Sequence, residues 1–545
     1  MNVEKMTTLK QPKRFILIAV LLLGFLPGFA CRSWAQQQAQ ELTFPIEGFL
    51  VEGNTLMAPE AIQDTLESMV GPGKKASDVE TARDALEKLY HSKGYPTVLV
   101  SIPEQRVQEG VIRLEVTECK IEKVATVGNR YVTSEKILES LPSMRPGEVL
   151  YTPEVQKEIG KANENADVKI TPSLSQGSEP GTVDVDLKVE DTLPLHASLE
   201  VSNRNSPDTT PLRLNAVLHY DNFWQKDHSL SLQYQTSPEN PNQVQVGAAA
   251  YSLPAPWNVN HTILLSGIWN NSNTAFGEGF TTVGQGHMFG LRYVMPLPGF
   301  TNYSQNLIIG LDYKDFQNND LALNNTTAAA SSGEFPAVTY FPISFIYNSY
   351  LIDPRGITQI NTGVNMAFRD LISNESAFAA NRYDARGNYL YATGCVERTQ
   401  DLIAGTKLHV KGDGQISDSP LISNEQYAGG GMMNVRGYHE SEELGDSAVH
   451  CTVELLAPEM AASRGIANGK LKCTPYIFYD TAHLFVMDPL PGQQSSFDLE
   501  GTGVGVRGLY DKCFEYETCW ATALSSTQYT KTGDSTVHFR VKYLY

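Results

Sequence analysis

Few groupings in this chain have the residue types and spacing that specific chemistry requires. Val435-Arg436-Gly437-Tyr438 closes a glycine-rich run, Gly429-Gly430-Gly431-Met432-Met433-Asn434, and further on stands Phe478-Tyr479-Asp480-Thr481-Ala482. The glycines permit a sharp turn and close backbone approach. A guanidinium such as that of Arg436 presents a planar donor fork matched to a carboxylate, a geometry lysine does not reproduce. Other groupings carry less. Gly503-Val504-Gly505-Val506-Arg507-Gly508 has the spacing of a dinucleotide loop, but that site needs a strand before it and a helix after it. Here Gly501, Gly503 and Gly505 alternate with Thr502, Val504 and Val506, which predicts a strand throughout. Gly71-Pro72-Gly73-Lys74-Lys75 lacks the spacing and the Ser/Thr of a phosphate loop. His439, Glu440, Glu442, Glu443 and Asp446 are ligand types that read better as an acidic loop facing water. No His-Glu-x-x-His, no zinc-type Cys spacing and no readable Ser/His/Asp order occurs, so neither catalysis nor a metal or cofactor is expected.

The elements that would position Arg436 and Asp480 alternate. The chain ends Val537-His538-Phe539-Arg540-Val541-Lys542-Tyr543-Leu544-Tyr545, with Val537, Phe539, Val541, Tyr543 and Tyr545 on one face and His538, Arg540 and Lys542 on the other. Apolar-out, polar-in strands with an aromatic terminus are the signature of a transmembrane barrel. Leu195, Ala197, Leu199 and Val201 repeat the pattern, as do Leu212 to Tyr220 and Leu230 to Tyr234. In hydrocarbon every backbone polar group must be paired, so the last strand is expected to close against the first, near Leu195 to Val201. The acidic balance, formal net charge −19 over 545 residues, excludes a basic nucleic-acid surface. Mean hydropathy is −0.25, as expected where apolar and polar residues alternate.

Ahead of this region an internal repeat is legible. Phe49-Leu50-Val51-Glu52-Gly53-Asn54 recurs in outline as Val124-Ala125-Thr126-Val127-Gly128-Asn129. Each copy predicts strand, helix, helix, strand, strand; in the first, helices begin at Pro59 and near Val79, and strands span Thr97 to Ile102 and Val111 to Val116. At the N-terminus Lys10, Lys13 and Arg14 precede an apolar run and Ser33-Trp34-Ala35, so residues 1–35 read as a secretory leader, with 36–43 a short segment after it. Cys31 offers a lipidation alternative, for which Gly28-Phe29-Ala30 is a poor motif. Export allows the six later cysteines to form disulfides. Cys513 with Cys519, flanking a polar turn, and Cys451 with Cys473, on neighbouring strands, are the candidate pairs.

Together, the V-R-G-Y tetrapeptide, the Phe478-x-Asp480 motif, the repeat and the aromatic tail resemble the two-partner secretion transporters, the haemolysin secretion/activation family, whose superfamily also contains outer-membrane insertases. The resemblance implies two polypeptide-transport-associated (POTRA) domains of α+β type, at 44–118 and 119–191, and a 16-stranded antiparallel transmembrane β-barrel over 192–545. Length alone also permits 14 or 18 strands, at roughly ten residues per strand plus turns. It implies that Val435, Arg436, Gly437 and Tyr438 form the tip of an extracellular loop folded into the barrel. Arg436 would pair with Asp480 on the inner wall, beside Phe478, with Ala482 where the family motif has glycine. It implies a non-enzymatic outer-membrane protein, with POTRA domains in the periplasm. They would capture an unfolded, adhesin- or haemolysin-like and β-helical exoprotein by strand addition, here along Thr97, Val98, Leu99, Val100, Ser101 and Ile102. Tyr543 and Tyr545 would serve the barrel-assembly machinery, and lipid would surround the barrel. The rivals are an insertase, which more POTRA domains would suit, and a passive porin, which needs none. Some members carry a plug helix before the first domain; residues 36–42 are too short for one at about 1.5 Å per residue, which predicts leakiness to small solutes.

Overall fold

The first POTRA-like unit is built on helical and strand periodicities that meet in one core. The computed structural model describes residues 43–107, 109–271, 285–316, 337–368, 375–461 and 464–545; the expected leader lies outside them. Two short strands, β1 (Phe44–Ile46) and β2 (Gly48–Glu52), lead to α1 (Pro59–Leu66), β3 (Gly71–Lys74), α2 (Ala76–Ser92), β4 (Val98–Ser101) and β5 (Val111–Glu118). The order of the main sheet is β2-β5-β4. Along α2, Val79, Ala82, Leu86 and Tyr90 recur every three or four residues and are buried. Ala82, Leu86 and Tyr90 pack with Val98, Val100, Leu114 and Val116. The Asp78 carboxylate accepts the Lys75 amide at 2.7 Å and closes the first turn, and Gly94, at φ +99°, follows the last.

The second copy repeats the plan in β6 (Lys120–Val127), α3 (Ser134–Glu139), α4 (Thr152–Ala162), β7 (Val168–Gln176) and β8 (Thr182–Asp191), with sheet order β6-β8-β7. The equivalence extends to atoms. Gly53 and Gly128 have φ near +83° and +97°, and a Cβ on either would strike the Val116 or Val189 carbonyl, at 2.3 and 2.6 Å. In both copies a carboxylate at the end of the last strand holds the turn after Gly-Asn. Glu118 accepts the Thr55 and Leu56 amides, and Asp191 accepts those of Arg130, Tyr131 and Val132. By compactness the described residues divide into one unit up to Lys120 with Val149–Thr152, and another of Ile121–Glu148 with those from Pro153 onward.

Beyond β8 the chain forms a closed antiparallel barrel of sixteen strands, from Leu195–Ser202 to Ser535–Leu544. One strand is interrupted: Val338–Tyr340 and Ile343–Asp353 both pair with Tyr303–Phe316. Closure joins the ends of the sequence, with Arg540 opposite Ser202 and Leu544 opposite Ser198. Val537, Val541, Tyr543 and Tyr545 face outward, whereas His538 is buried within. Leu199, Leu218, Leu232, Leu265 and Leu291 continue the outer apolar face. No described helix is long and apolar enough to cross a membrane, which says nothing of a β-barrel.

The disulfide expectation is corrected by register. All six described cysteines are free thiols. Cys451 lies opposite Thr481, not Cys473. The eight residue steps from Cys473 to Thr481 separate the two cysteines by roughly 26 Å at about 3.3 Å per residue. Cys513 and Cys519 do not flank a turn, because Phe514–Ala523 is one continuous strand that carries Cys519 away from Cys513.

Candidate functional site

Between the barrel strands Lys407–Ser417 and Ser447–Leu456 the chain folds back into the lumen. A short hairpin, Tyr427–Gly429 against Glu443–Gly445, carries the glycine-rich tip. Gly430, Gly431 and Gly437 all have φ between +96° and +107°, so the tip turns where L side chains are strained.

Arg436 is buried and every face of its guanidinium is engaged. Nε and Nη2 donate to the two Asp480 carboxylate oxygens, both at 2.7 Å, and the Arg436 amide adds a third bond to Oδ2 at 3.1 Å. Nη1 donates to Glu454 at 2.6 Å, and the Phe478 ring lies 3.6 Å from the guanidinium carbon. Glu454 in turn binds Arg507 and, at 3.3 Å, His409, whose other nitrogen meets Glu397 at 3.0 Å. One cation thus pairs with two buried carboxylates at once, and Glu454 is shared among Arg436, Arg507 and His409.

The rest of the tip is fitted to the wall. The Gly437 amide donates to His538 Nε2 at 3.0 Å, and the Tyr438 hydroxyl lies within hydrogen-bond distance of Glu500 and Ser525. Val435 and Tyr438 pack with Ala448, Ala482, Leu484, Leu499 and Ala523. The Ala482 methyl therefore adds apolar contact beneath the tip. Gly501 admits the loop: a Cβ there would stand 2.0 Å from the Arg436 carbonyl oxygen. Gly503 and Gly505, from the dinucleotide-like run, leave room for the Phe478 and Tyr476 rings of the preceding strand.

The acidic stretch after the tip does not face water, contrary to the sequence reading. Glu442, Glu443 and Asp446 are buried, because the hairpin carries them into the lumen. Glu440 pairs with Arg204 at 3.1 Å, and Glu442 accepts the Thr530 hydroxyl at 2.8 Å. Asp446 receives a bidentate Arg382 and the Leu421 and Met487 amides, both at 2.8 Å. Glu425, also missed, gathers Lys314, Tyr340 and Tyr391 at 2.5, 2.6 and 2.8 Å. For Glu454 a signal existed: in Ser447–Leu456 alternate residues point inward, placing His450, Thr452 and Glu454 in the lumen. The partners of Asp446 and Glu425 come from remote strands and carry no local signal.

In the first unit, Val98 to Ser101 form the sheet-edge strand β4, with Thr97 and Ile102 flanking it. Two of the edge groups are already held by α2: the Val98 carbonyl by His91 at 3.0 Å and the Val100 amide by Glu87 at 3.0 Å. Tyr543 lies against Phe514 with the rings tilted, centroids 4.9 Å apart, on the outer face.

Comparison with known proteins bears on both parts. A family model described as POTRA domain, ShlB-type, matches residues 44–119, and one described as haemolysin secretion/activation protein ShlB/FhaC/HecB matches residues 181–508. The outer membrane transporter CdiB of Dickeya dadantii (strain 3937) is 24% identical over 382 residues, covering 67% of this chain and 64% of that relative. The chain therefore spans less than two thirds of that relative's length. Among solved structures, CdiB from Escherichia coli superposes with a TM-score of 0.58 at 17% identity, covering 94% of this chain and 92% of its own. BamA from Haemophilus ducreyi lacking POTRA domains 1–3 also gives 0.58, at 12% identity, covering 92% and 100%. At these identities the superpositions report fold alone, and they weigh the two proteins equally.

Proposed function

Because the chain belongs to the haemolysin secretion/activation protein family (ShlB/FhaC/HecB), we propose that it is an outer-membrane two-partner secretion transporter that passes an unfolded exoprotein through its barrel. The observation that carries this reading is the clasp of Arg436 on Asp480 and Glu454. A passive pore has no need to bury an ion triad to hold a loop in its own channel. A transporter needs a barrier that keeps its place at rest and yields, or guides the chain, during passage. The work is transport, without catalytic residues.

Residues 44–118 and 119–191 act as two periplasmic POTRA domains and 192–545 as the barrel. The client is a large adhesin- or haemolysin-like, β-helical exoprotein captured in extended form. Strand addition at Thr97 to Ile102 supplies backbone hydrogen bonds without demanding one sequence, and it requires Glu87 and His91 to leave the β4 edge. Proline substitutions along that strand weaken client binding; unchanged binding would remove β4 from the mechanism. Tyr543 and Tyr545, exposed on the last strand, serve recognition by the barrel-assembly machinery.

The deciding experiment deletes the gene and quantifies secreted, surface and outer-membrane proteins. Loss of one or two large exoproteins with other barrels unchanged supports secretion and names the client. Broad loss of barrels would assign an insertase, and altered small-solute uptake alone a pore.

A further inference from the structure

The mouth of the barrel on the side of the second small domain carries a second set of polar groups unrelated to the loop clasp. His196 and His219 are direct cross-strand partners on the first two barrel strands, so both imidazoles stand on the inner face. Asp221, two residues beyond His219, shares that face. From the second small domain, the turn before β7 brings Asp167 to the same point, buried and fastened by the Thr192 hydroxyl at 3.1 Å. His196 Nε2 lies 2.9 Å from Asp167 Oδ2 and 4.0 Å from Asp221 Oδ2, and the three donor atoms lie within 4.8 Å of one another. His219 Nε2 holds the other Asp221 oxygen at 3.0 Å. A cavity also lined by Glu164 and Asp227 opens onto the cluster.

We propose that Asp167, His196 and Asp221 form a site for a first-row divalent cation of the zinc type, which ties the second small domain to the barrel's inner rim. Two donors about 2.1 Å from a tetrahedral centre stand roughly 3.4 Å apart, and the observed 2.9 and 4.0 Å bracket that spacing. Small side-chain rotations close the set, leaving a fourth position to solvent. The imidazole selects zinc-like ions over magnesium or calcium, which favour oxygen donors. His219 is a positioning residue: its bond to Asp221 orients the carboxylate, a role worth about 10- to 100-fold in metal affinity elsewhere. The cation exchanges one hydrogen bond between domain and barrel for coordinate bonds to both.

The test is equilibrium dialysis of the untagged, full-length protein in detergent against Zn2+, with the bound metal counted. One Zn2+ per chain is expected. His196→Ala and Asp221→Asn should bind at least about tenfold more weakly, and His219→Ala by about tenfold. His483→Ala, altering an exposed pair with Asp498, should bind normally. Each variant is first shown to be folded by heat-modifiable migration in gels. Co2+ absorption of the unaltered chain gives a readout independent of any variant, with intense bands for four-coordinate N/O ligation. Absence of specific Zn2+ binding, equal affinity in the folded His196→Ala and Asp221→Asn variants, or only the weak six-coordinate Co2+ spectrum would overturn the site.

Discussion

Because the clasp of Arg436 is buried and fully paired, it is sensitive to the loss of any one partner. Removing one partner of such a set leaves uncompensated charge, on the order of 3 kcal/mol or more. Arg436→Ala should therefore release the loop tip and reduce secretion about tenfold or more while the barrel still assembles, as secretion assays beside heat-modifiable migration would show. Arg436→Lys should fail to rescue, since a point charge cannot bridge two Asp480 oxygens, Glu454 and the Phe478 face together. Normal secretion by the lysine variant would show that charge alone suffices. Gly501→Ala tests the same contact from the wall, because its methyl must displace the Arg436 carbonyl. It should mimic Arg436→Ala with every charged group intact.

At the scale of elements, the turn joining β7 to β8 is held by one carboxylate. Hydrogen bonds from the Ser178 and Thr182 hydroxyls, then the Glu179 amide, bring Glu122 down from an ordinary 4.5 to about 2. A folded-state pKa below the unfolded value means that this contribution is complete above pH 4.5 and is lost as pH falls toward about 2. Amide protection at Ser178 and Glu179 should fall across that window, and in Glu122→Gln it should be weak and flat with pH. The element pattern of both small domains was legible in the sequence, because helical and strand periodicities differ and Gly53 and Gly128 mark equivalent turns. The hold of Glu87 and His91 on β4 was not, since it depends on how α2 lies across the sheet.

For the whole molecule, the proposed transport makes the loop packed against the inner wall the barrier at rest. Arg436→Ala in planar bilayers should raise open-channel conductance and its fluctuation over the unaltered chain; identical traces would mean that the clasp does not set the barrier. The barrel's integrity rests on strand pairing, without covalent staples. All six thiols should alkylate in denaturant without reductant, and reductant should leave thermal stability unchanged. Intact-mass shifts count the labels, and fewer than six would restore a disulfide.

What the sequence determined by itself was periodicity and its consequences. The alternation in Val537 to Tyr545 specifies which side chains meet lipid, and closure follows because no edge can stay unpaired in hydrocarbon. That Arg436 meets Asp480 was expected only from the family resemblance of the V-R-G-Y and Phe478-x-Asp480 motifs, not from their spacing. Register and loop trajectory were decided only in three dimensions. Cys451 and Cys473 sit on adjacent strands yet far apart along them, and pairing offset leaves no trace in either strand's composition. Glu442, Glu443 and Asp446 read as solvated acids, and the loop's return into the barrel buried them. Asp167, His196 and Asp221 come from segments whose convergence depends on how domain and barrel meet. Local sequence constrains the direction in which a side chain points; what stands opposite it is set by long-range closure.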